Sequence, residues 1–179
     1  MTEELEVLRD VVTRLERGGL DYMLTGSVAL NCYAQPRMTR DIDLVVAFNA
    51  DDAARIQDVL GPGYYVSGSA AREAAQHEGS FNAIHESTLI KVDFMVQKRG
   101  DFWREEFSRR IRLKLADFDL WVVSKEDLIL SKLLWAQESG SERQLADVEN
   151  LVATGCDRGY LETWSVALNL TGMLTRVLP

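Results

Sequence analysis

The first hydrophobic pattern along the chain has the period of an α-helix. Apolar residues from Leu5 to Leu15 stand three or four positions apart among charged residues, and two glycines follow at positions 18 and 19. This spacing predicts an amphipathic helix over residues 2–17, with Thr2 as its cap. Similar patterns predict helices over residues 49–60, 70–77, 125–138 and 141–153, and a single closing helix over residues 160–178.

A second pattern alternates, or runs apolar over four to eight positions, as in β-strands. It predicts strands over residues 21–25, 41–47, 64–67, 80–85, 89–96, 110–115 and 118–123. Strands interleaved with helices indicate an α/β fold of the α+β kind, with a mixed central sheet and flanking helices. We expect residues 1–123 to form this core and residues 124–179 to form a small helical bundle packed on it.

Composition limits the functions to consider. The chain has 179 residues, 46% of them hydrophobic, and a net charge of -8. An acidic protein is poorly suited to broad, charge-driven nucleic-acid binding, which needs a positive surface. Residues 98–114 are the exception, because seven basic and three acidic residues give them a local charge of +4. This basic segment is either an approach for a polyphosphate or nucleic-acid substrate, or a solvated helix followed by a charged edge strand.

The cysteines and the N-terminus indicate a cytoplasmic protein. Cys32 and Cys156 have neither the spacing of a metal site nor that of a disulfide framework. The first seventeen residues are charged throughout, unlike a signal peptide, and no apolar run is long enough to cross a bilayer. We therefore expect a soluble protein with reduced thiols.

Two carboxylates at the start of a strand suggest a metal site. Asp41 and Asp43 flank Ile42, so in a regular strand both acids point the same way while Ile42 points into the core. The two negative charges repel each other unless a cation lies between them, and oxygen ligands suit Mg²⁺ or Mn²⁺. Asp93, in an apolar strand, is either a third acid at this edge or an acid paired with Lys91 or exposed at a sheet edge.

Gly26-Ser27 follows the first predicted strand and opens a helix. Glycine lets the backbone approach a ligand closely, and amides at a helix start attract anions, so the pair fits a phosphate cradle. An ordinary strand-to-helix turn explains the same two residues.

Together these residues resemble the core of the DNA polymerase β-type nucleotidyltransferases: an apolar residue and Gly-Ser, then Asp-x-Asp in a strand, then a later acid. The run from Arg37 to Asp43, Arg-x-Thr-Arg-Asp-hydrophobic-Asp, is most similar to AbiEii-like toxin–antitoxin nucleotidyltransferases. The resemblance implies a minimal nucleotidyltransferase fold and transfer of a nucleoside monophosphate from an NTP. It also implies catalytic, metal-binding acids at Asp41, Asp43 and Asp93, and nucleotide contacts from Gly26, Ser27 and Arg40. In a regular strand Arg40 points away from the acids and instead anchors the loop.

A second block extends the resemblance. Residues 124–133, followed by Arg143 and Asp147, are similar to a block of the AbiEii-like families whose lysine contacts the triphosphate. That similarity nominates Lys132, with Arg143 and Asp147 as support. Residue chemistry alone describes Lys132 as a solvent-facing lysine, and places Arg143 one helical turn from Asp147, where the two can pair.

Three functions fit these expectations. The first is a metal-dependent nucleotidyltransferase of a toxin–antitoxin or related defence system, acting on tRNA or another macromolecule. The second is an antitoxin that adenylylates a partner toxin protein, which the acidic charge favours slightly. The third is a non-catalytic nucleotide-binding module.

Overall fold

The computed structural model describes residues 2–178, and in this range the chain forms nine helices and seven strands. The helices are α1 Glu3–Arg17, α2 Gly26–Leu30, α3 Ala50–Leu60, α4 Gly68–His77, α5 Asp101–Ser108, α6 Lys125–Ser139, α7 Glu142–Ala153, α8 Arg158–Ala167 and α9 Thr171–Val177. The strands are β1 Tyr22–Thr25, β2 Ile42–Val46, β3 Tyr64–Val66, β4 Ser80–His85, β5 Lys91–Val96, β6 Ile111–Leu115 and β7 Phe118–Val122. None of these helices is both long and apolar enough to cross a membrane.

Local hydrogen bonds explain why several helices begin where the sequence predicts. The side chains of Thr2 and Ser124 each accept a hydrogen bond from the backbone amide three positions later. Asn49 and Asp52 form a reciprocal capping box at the start of α3. Each cap satisfies amides that a helix start leaves without a partner, and so fixes the first turn.

The seven strands form one mixed sheet in the order β3-β4-β5-β2-β1-β7-β6. β2 lies at its centre, antiparallel to β1 and parallel to β5. The predicted hairpins are present, since β4 pairs with β5 and β6 pairs with β7 in antiparallel fashion. The sheet therefore confirms the predicted fold class, a mixed sheet flanked by helices.

The core depends on alternation in the central strands. Ile42, Leu44 and Val46 of β2 are at most 1% exposed and share one face of the sheet. The intervening residues of β2 lie on the other face and are partly exposed. A single cluster of buried apolar side chains joins the sheet to the C-terminal helices, including Leu161 of α8 and Leu174 of α9.

The prediction of a single closing helix over residues 160–178 was wrong, because the chain forms α8 and α9 with a break between them. Asn169 adopts a left-handed conformation with φ of 57°, and the amide of Leu170 donates back to the carbonyl of Ser165 over 2.7 Å. This is a helix-ending arrangement in which asparagine is tolerated. The apolar spacing continues across the break, so periodicity alone did not show it.

Candidate active site

Two acids lie side by side on the two central parallel strands. The register of β2 and β5 places Asp43 opposite Asp93, on the face away from the buried side chain of Ile42. Neighbouring strands are about 4.8 Å apart, so the carboxylates are close. Burial, followed by the charges of Asp93 and then Asp41, raises the pKa of Asp43 to about 6. The strand pairing that the prediction for Asp93 required is therefore present.

Asp93 also forms an ion pair within its own strand. The Nζ atom of Lys91 lies 2.7 Å from Oδ2 of Asp93, and this hydrogen bond raises the pKa of Lys91. The interpretation of Asp93 as an acid at a sheet edge is wrong, because β5 lies between β4 and β2. Pairing with Lys91 and proximity to Asp43 occur together, so the two remaining interpretations do not exclude each other.

Gly26 makes room for the acid of β2. It begins α2 with a positive φ of 65°, and a Cβ atom built on it would lie 2.7 Å from Cγ of Asp43 and would overlap Oδ2. Real Cβ atoms do not approach other atoms so closely, and the positive φ also disfavours other residues. Glycine is thus required here because the carboxylate of Asp43 packs against the backbone.

A network of buried and half-buried polar side chains lies beside this glycine. We call it the cation cluster and define it as Ser27, Arg37, Lys132, Gln144 and Asp147. Arg37 donates from Nε to Oδ1 of Asp147 over 2.8 Å and from Nη2 to Oδ2 over 2.9 Å. Its Nη2 also donates to Oγ of Ser27. Lys132 donates from Nζ to Oδ2 of Asp147 over 2.8 Å and to Oε1 of Gln144 over 3.0 Å.

The cluster joins four parts of the chain near the acids. Ser27 is on α2, Arg37 lies between α2 and β2, Lys132 is on α6, and Gln144 and Asp147 are on α7. The charge of Lys132 opposes the rise in the pKa of Asp43, and the charge of Asp43 in turn opposes the decrease in the pKa of Lys132. The network and the strand acids therefore form one electrostatic unit.

Burial and hydrogen bonding have opposite effects on the pKa values of Lys132 and Asp147. Burial lowers the pKa of Lys132, and the hydrogen bond to Asp147 opposes that shift. Burial alone would raise the pKa of Asp147, but hydrogen bonds from Arg37 and Lys132 hold it below its ordinary value. The side chain of Lys132 is only 4% exposed, so its description as a solvent-facing lysine was wrong.

The two arginines that the sequence nominates, Arg40 and Arg143, lie outside the cluster. Arg143 is exposed on α7, and the predicted pairing with Asp147 was wrong, because Asp147 pairs with Arg37 and Lys132 instead. Gln144, the next residue along α7, faces Lys132. Arg40 is exposed in the coil before β2, and within residues 2–178 it forms no ion pair.

Sequence reasoning did not assign a role to Arg37, the central residue of the cluster. A signal for it existed, since Arg37 is the first residue of the Arg-x-Thr-Arg-Asp run that carries the resemblance. Its partner Asp147 lies 110 positions away, and no local spacing relates the two. The resemblance does nominate Asp147 as support for Lys132, and the two side chains are in contact.

The acids suit a divalent cation in their donor chemistry. Asp41, Asp43 and Asp93 supply carboxylate oxygens, and their mutual repulsion contributes to the raised pKa of Asp43. A hard cation such as Mg²⁺ or Mn²⁺ prefers such ligands and relieves such repulsion. Across residues 2–178, however, no three acidic, histidine or cysteine side chains already converge in the geometry of a metal site.

The basic segment, residues 98–114, is largely neutralised by ion pairs. Five of its arginines each lie within 3.3 Å of a carboxylate oxygen: Arg99 with Glu78, Arg104 with Asp101, Arg109 with Asp127, Arg110 with Asp21 and Arg112 with Glu16. The segment forms α5 and the edge strand β6. These contacts favour the interpretation as a charged surface helix and edge strand over a free basic groove.

Comparison with a family of known sequences gives a match over most of the chain. A family described as "Nucleotidyl transferase AbiEii toxin, Type IV TA system" matches residues 13–169. No curated protein matches the chain in sequence at a significant level.

Solved structures with a similar fold are nucleotidyltransferases or resemble them. The lincosamide antibiotic adenylyltransferase LnuA, with lincomycin bound, has 17% identity and a TM-score of 0.55, covering 86% of this chain and 98% of its own. ANT(2")-Ia in complex with adenylyl-2"-tobramycin has 15% identity and a TM-score of 0.64, covering 94% and 98%. An antigenic nucleotidyltransferase-like protein from Paracoccidioides brasiliensis has 16% identity and a TM-score of 0.58, covering 98% and 92%. At these identities the similarity shows a shared fold.

Proposed function

The chain belongs to the AbiEii family of nucleotidyltransferase toxins, and from that membership we propose that it moves a nucleoside monophosphate from an NTP to a macromolecular acceptor. Release of pyrophosphate accompanies the transfer, and the setting is a toxin–antitoxin or related bacterial defence system. One observation carries the proposal: Asp43 and Asp93 lie in register on parallel strands, against Gly26 and beside the cation cluster.

We assign metal binding to the three acids at and beside the central strands. Asp41, Asp43 and Asp93 would hold Mg²⁺ or Mn²⁺, consistent with their donor chemistry and with the repulsion that raises the pKa of Asp43. When bound, the cation offsets negative charge on the phosphates during transfer. The acids must be ionised to bind it, and a carboxyl with a pKa of about 6, such as Asp43, is mostly ionised at neutral pH.

The transfer itself is a displacement at the α-phosphorus of the NTP. The oxygen of an acceptor hydroxyl forms a bond to that phosphorus, while the bond to the oxygen bridging to the β-phosphorus breaks and pyrophosphate leaves. We propose Asp93 as the group that accepts the hydroxyl proton. Lys91, 2.7 Å from Oδ2 of Asp93, holds this carboxylate in position on β5.

Nucleotide binding is assigned to the residues beside the acids. Gly26 and Ser27 would receive the outer phosphates at the start of α2, and Lys132 would neutralise the departing pyrophosphate. Arg40, exposed and next to Asp41, is the alternative to Lys132 in that role. Arg143 is not included, because its side chain is exposed while the cluster is formed by its neighbour Gln144.

A protein acceptor is the second candidate, in which the chain adenylylates a partner protein as an antitoxin. The net charge of -8 and the five paired arginines of the basic segment support it, because an RNA substrate needs free cations along its phosphates. Either acceptor fits a cytoplasmic location, which we propose because NTPs are abundant there and both cysteines are free thiols.

Labelling in cell extract tests the proposal. The wild-type protein is incubated with each α-³²P-labelled NTP, Mg²⁺ or Mn²⁺, and extract, beside an Asp41→Ala/Asp43→Ala variant. An Asp51→Ala/Asp58→Ala variant is the matched control, since it removes the same charge from exposed positions of α3.

We expect the wild type and the α3 control to label an acceptor and the Asp41/Asp43 variant to lose labelling. Label on RNA supports the leading function, and label on one protein supports the second. NTP binding without any label above the Asp41/Asp43 variant would show a non-catalytic module and overturn the proposed reaction.

A further inference from the structure

Arg37 occupies a position that fits a phosphate-binding residue. Its side chain is 24% exposed, whereas the side chain of Lys132 in the same cluster is 4% exposed. Arg37 therefore reaches from the buried carboxylate of Asp147 to the surface at Ser27. On the basis of the proposed function, we infer that Arg37 binds the outer phosphates of the NTP and that Asp147 positions it.

Hydrogen bonding within the cluster leaves donors for a ligand. Arg37 uses Nε and Nη2 toward Asp147 and Ser27, and its Nη1 donates to no atom of residues 2–178. Because Oγ of Ser27 accepts a bond from Arg37, its own proton remains to be donated. A guanidinium edge beside a hydroxyl is well matched to phosphate oxygens.

The charge of the cluster also favours an anion. Two cations, Arg37 and Lys132, share the single carboxylate of Asp147, so the cluster carries a net charge of +1. Lys132 is enclosed between Asp147 and Gln144. The excess positive charge is therefore accessible at Arg37 rather than at Lys132, and it lies next to Ser27.

Both the backbone and the side chain of Arg37 are held in place. Asn31 donates to the carbonyl of Arg37 over 3.0 Å and accepts from its amide over 2.9 Å. Asn150 of α7 makes a second reciprocal pair, with the backbone of Gln35. With the two-point contact to Asp147, these bonds fix the guanidinium before any ligand binds, which lowers the entropy lost on binding.

The test compares a nucleoside triphosphate with its monophosphate. Of the four NTPs, the one that the wild type binds most tightly in Mg²⁺ is titrated by calorimetry, together with its NMP, into wild type, Arg37→Gln and Arg37→Lys. Arg40→Gln examines the neighbouring arginine. Arg55→Gln is the matched control, because Arg55 also forms an ion pair, with Asp52 of α3, but outside the site.

We expect Arg37→Gln to weaken NTP binding by about 10- to 100-fold and NMP binding by less than about threefold, since only the NTP carries the outer phosphates. Arg37→Lys should retain part of the preference for NTP, and the control Arg55→Gln nearly all of it. A merely structural role would weaken both ligands equally, so a ratio of NTP to NMP affinity that Arg37→Gln leaves unchanged overturns the inference.

Failure of the proposed function gives a different result. If the wild type binds none of the four NTPs in Mg²⁺ or Mn²⁺, nucleotide transfer and the role of Arg37 are both overturned. If the wild type binds an NTP and transfers label, but Arg40→Gln rather than Arg37→Gln removes the NTP preference, only the assignment of Arg37 is overturned.

Discussion

The backbone of Gly26 packs directly against the carboxylate of Asp43, so a side chain at this position would displace that acid. We predict that Gly26→Ala lowers transfer activity by about 100-fold, because the new Cβ displaces the carboxylate of Asp43, and small misplacements of reacting groups have effects of this size. Gly19→Ala is the matched control. Gly19 has nearly the same φ, 66°, but a Cβ on it meets no atom within 4 Å.

Both alanine variants should lose about 1 kcal/mol of stability from the left-handed backbone. Only Gly26→Ala should lose labelling in the extract assay. Equal activity in the two variants would mean that Asp43 tolerates displacement and that the contact with Gly26 has no catalytic consequence.

Glu106 provides a prediction about pH. It is 3% exposed, Ser131 donates to its Oε1, and burial raises its pKa from the ordinary 4.5 to about 7. Between these values the folded state holds a proton that the unfolded chain releases, so the free energy of unfolding falls as pH rises. Glu106→Gln removes this loss, and its stability relative to wild type should rise by about 3 kcal/mol from pH 5 to pH 8.

Urea unfolding at the two pH values measures the effect. Glu73→Gln, at an exposed position of α4, is the control and should change little between them. Parallel pH dependences for Glu106→Gln and wild type would show that Glu106 is not the titrating group.

At the residue scale, local chemistry in the sequence predicted the acids but not their partners. The alternation around Asp43 and Asp93 was sufficient to predict that both lie on the face opposite the core, and the strands agree. Their roles in metal binding and catalysis stay predictions. The partnership of Arg37 with Asp147 was not predictable, because it depends on how α7 packs and not on any spacing along the chain.

Among the elements, α7 determines how the cation cluster is assembled. Asp147 is the only acid of the cluster, and its side chain is 5% exposed. We predict that Asp147→Asn lowers stability by about 3 kcal/mol, because the buried cation of Lys132 and the half-buried cation of Arg37 lose their counter-charge. It should also weaken NTP binding, although the site becomes more positive, because the guanidinium is no longer oriented.

Thermal unfolding and NTP titration check both effects. Glu149→Gln is the control, as an exposed acid on the same helix. Tighter NTP binding by Asp147→Asn than by wild type would show that Asp147 competes with the phosphates instead of positioning Arg37.

Element boundaries were predictable where side chains determine them. The caps at Thr2, Asn49 and Ser124 are visible in the sequence, and the corresponding helices begin beside them. The burial of Lys132 was harder to predict from the sequence. α6 contacts α2, α7 and α8, so a polar residue on it can be enclosed, whereas the sequence was interpreted as one apolar side facing a core.

At the scale of the molecule, the sheet and the C-terminal helices share one apolar core. Leu128, Ile129, Leu130 and Leu133 of α6 are at most 1% exposed and belong to the same cluster as the central strands. We predict that the protein unfolds in a single cooperative transition, because neither part can keep this cluster buried alone. The division into residues 1–123 and 124–179 stays a prediction about architecture and not about independent folding.

Tryptophan fluorescence in urea can separate the two parts. Trp121 lies on β7 and Trp164 on α8. Variants that keep only one of these two, and in which Trp103 and Trp135 are also replaced, report on the sheet or on the C-terminal helices. Coincident midpoints are expected after correction for the stability of each variant. An earlier transition at Trp164 alone would show that the C-terminal helices unfold separately.

The long separation between Arg37 and Asp147 has a consequence for biosynthesis. Gly26, Asp43 and Asp93 are all translated before residue 100, whereas Asp147 and Asn150 follow later in the chain. A nascent chain with its strand acids already paired therefore still lacks the contacts that orient Arg37. If the phosphate site is assembled as we infer, a nascent chain cannot bind NTP productively until α7 has been made and has packed beside Arg37.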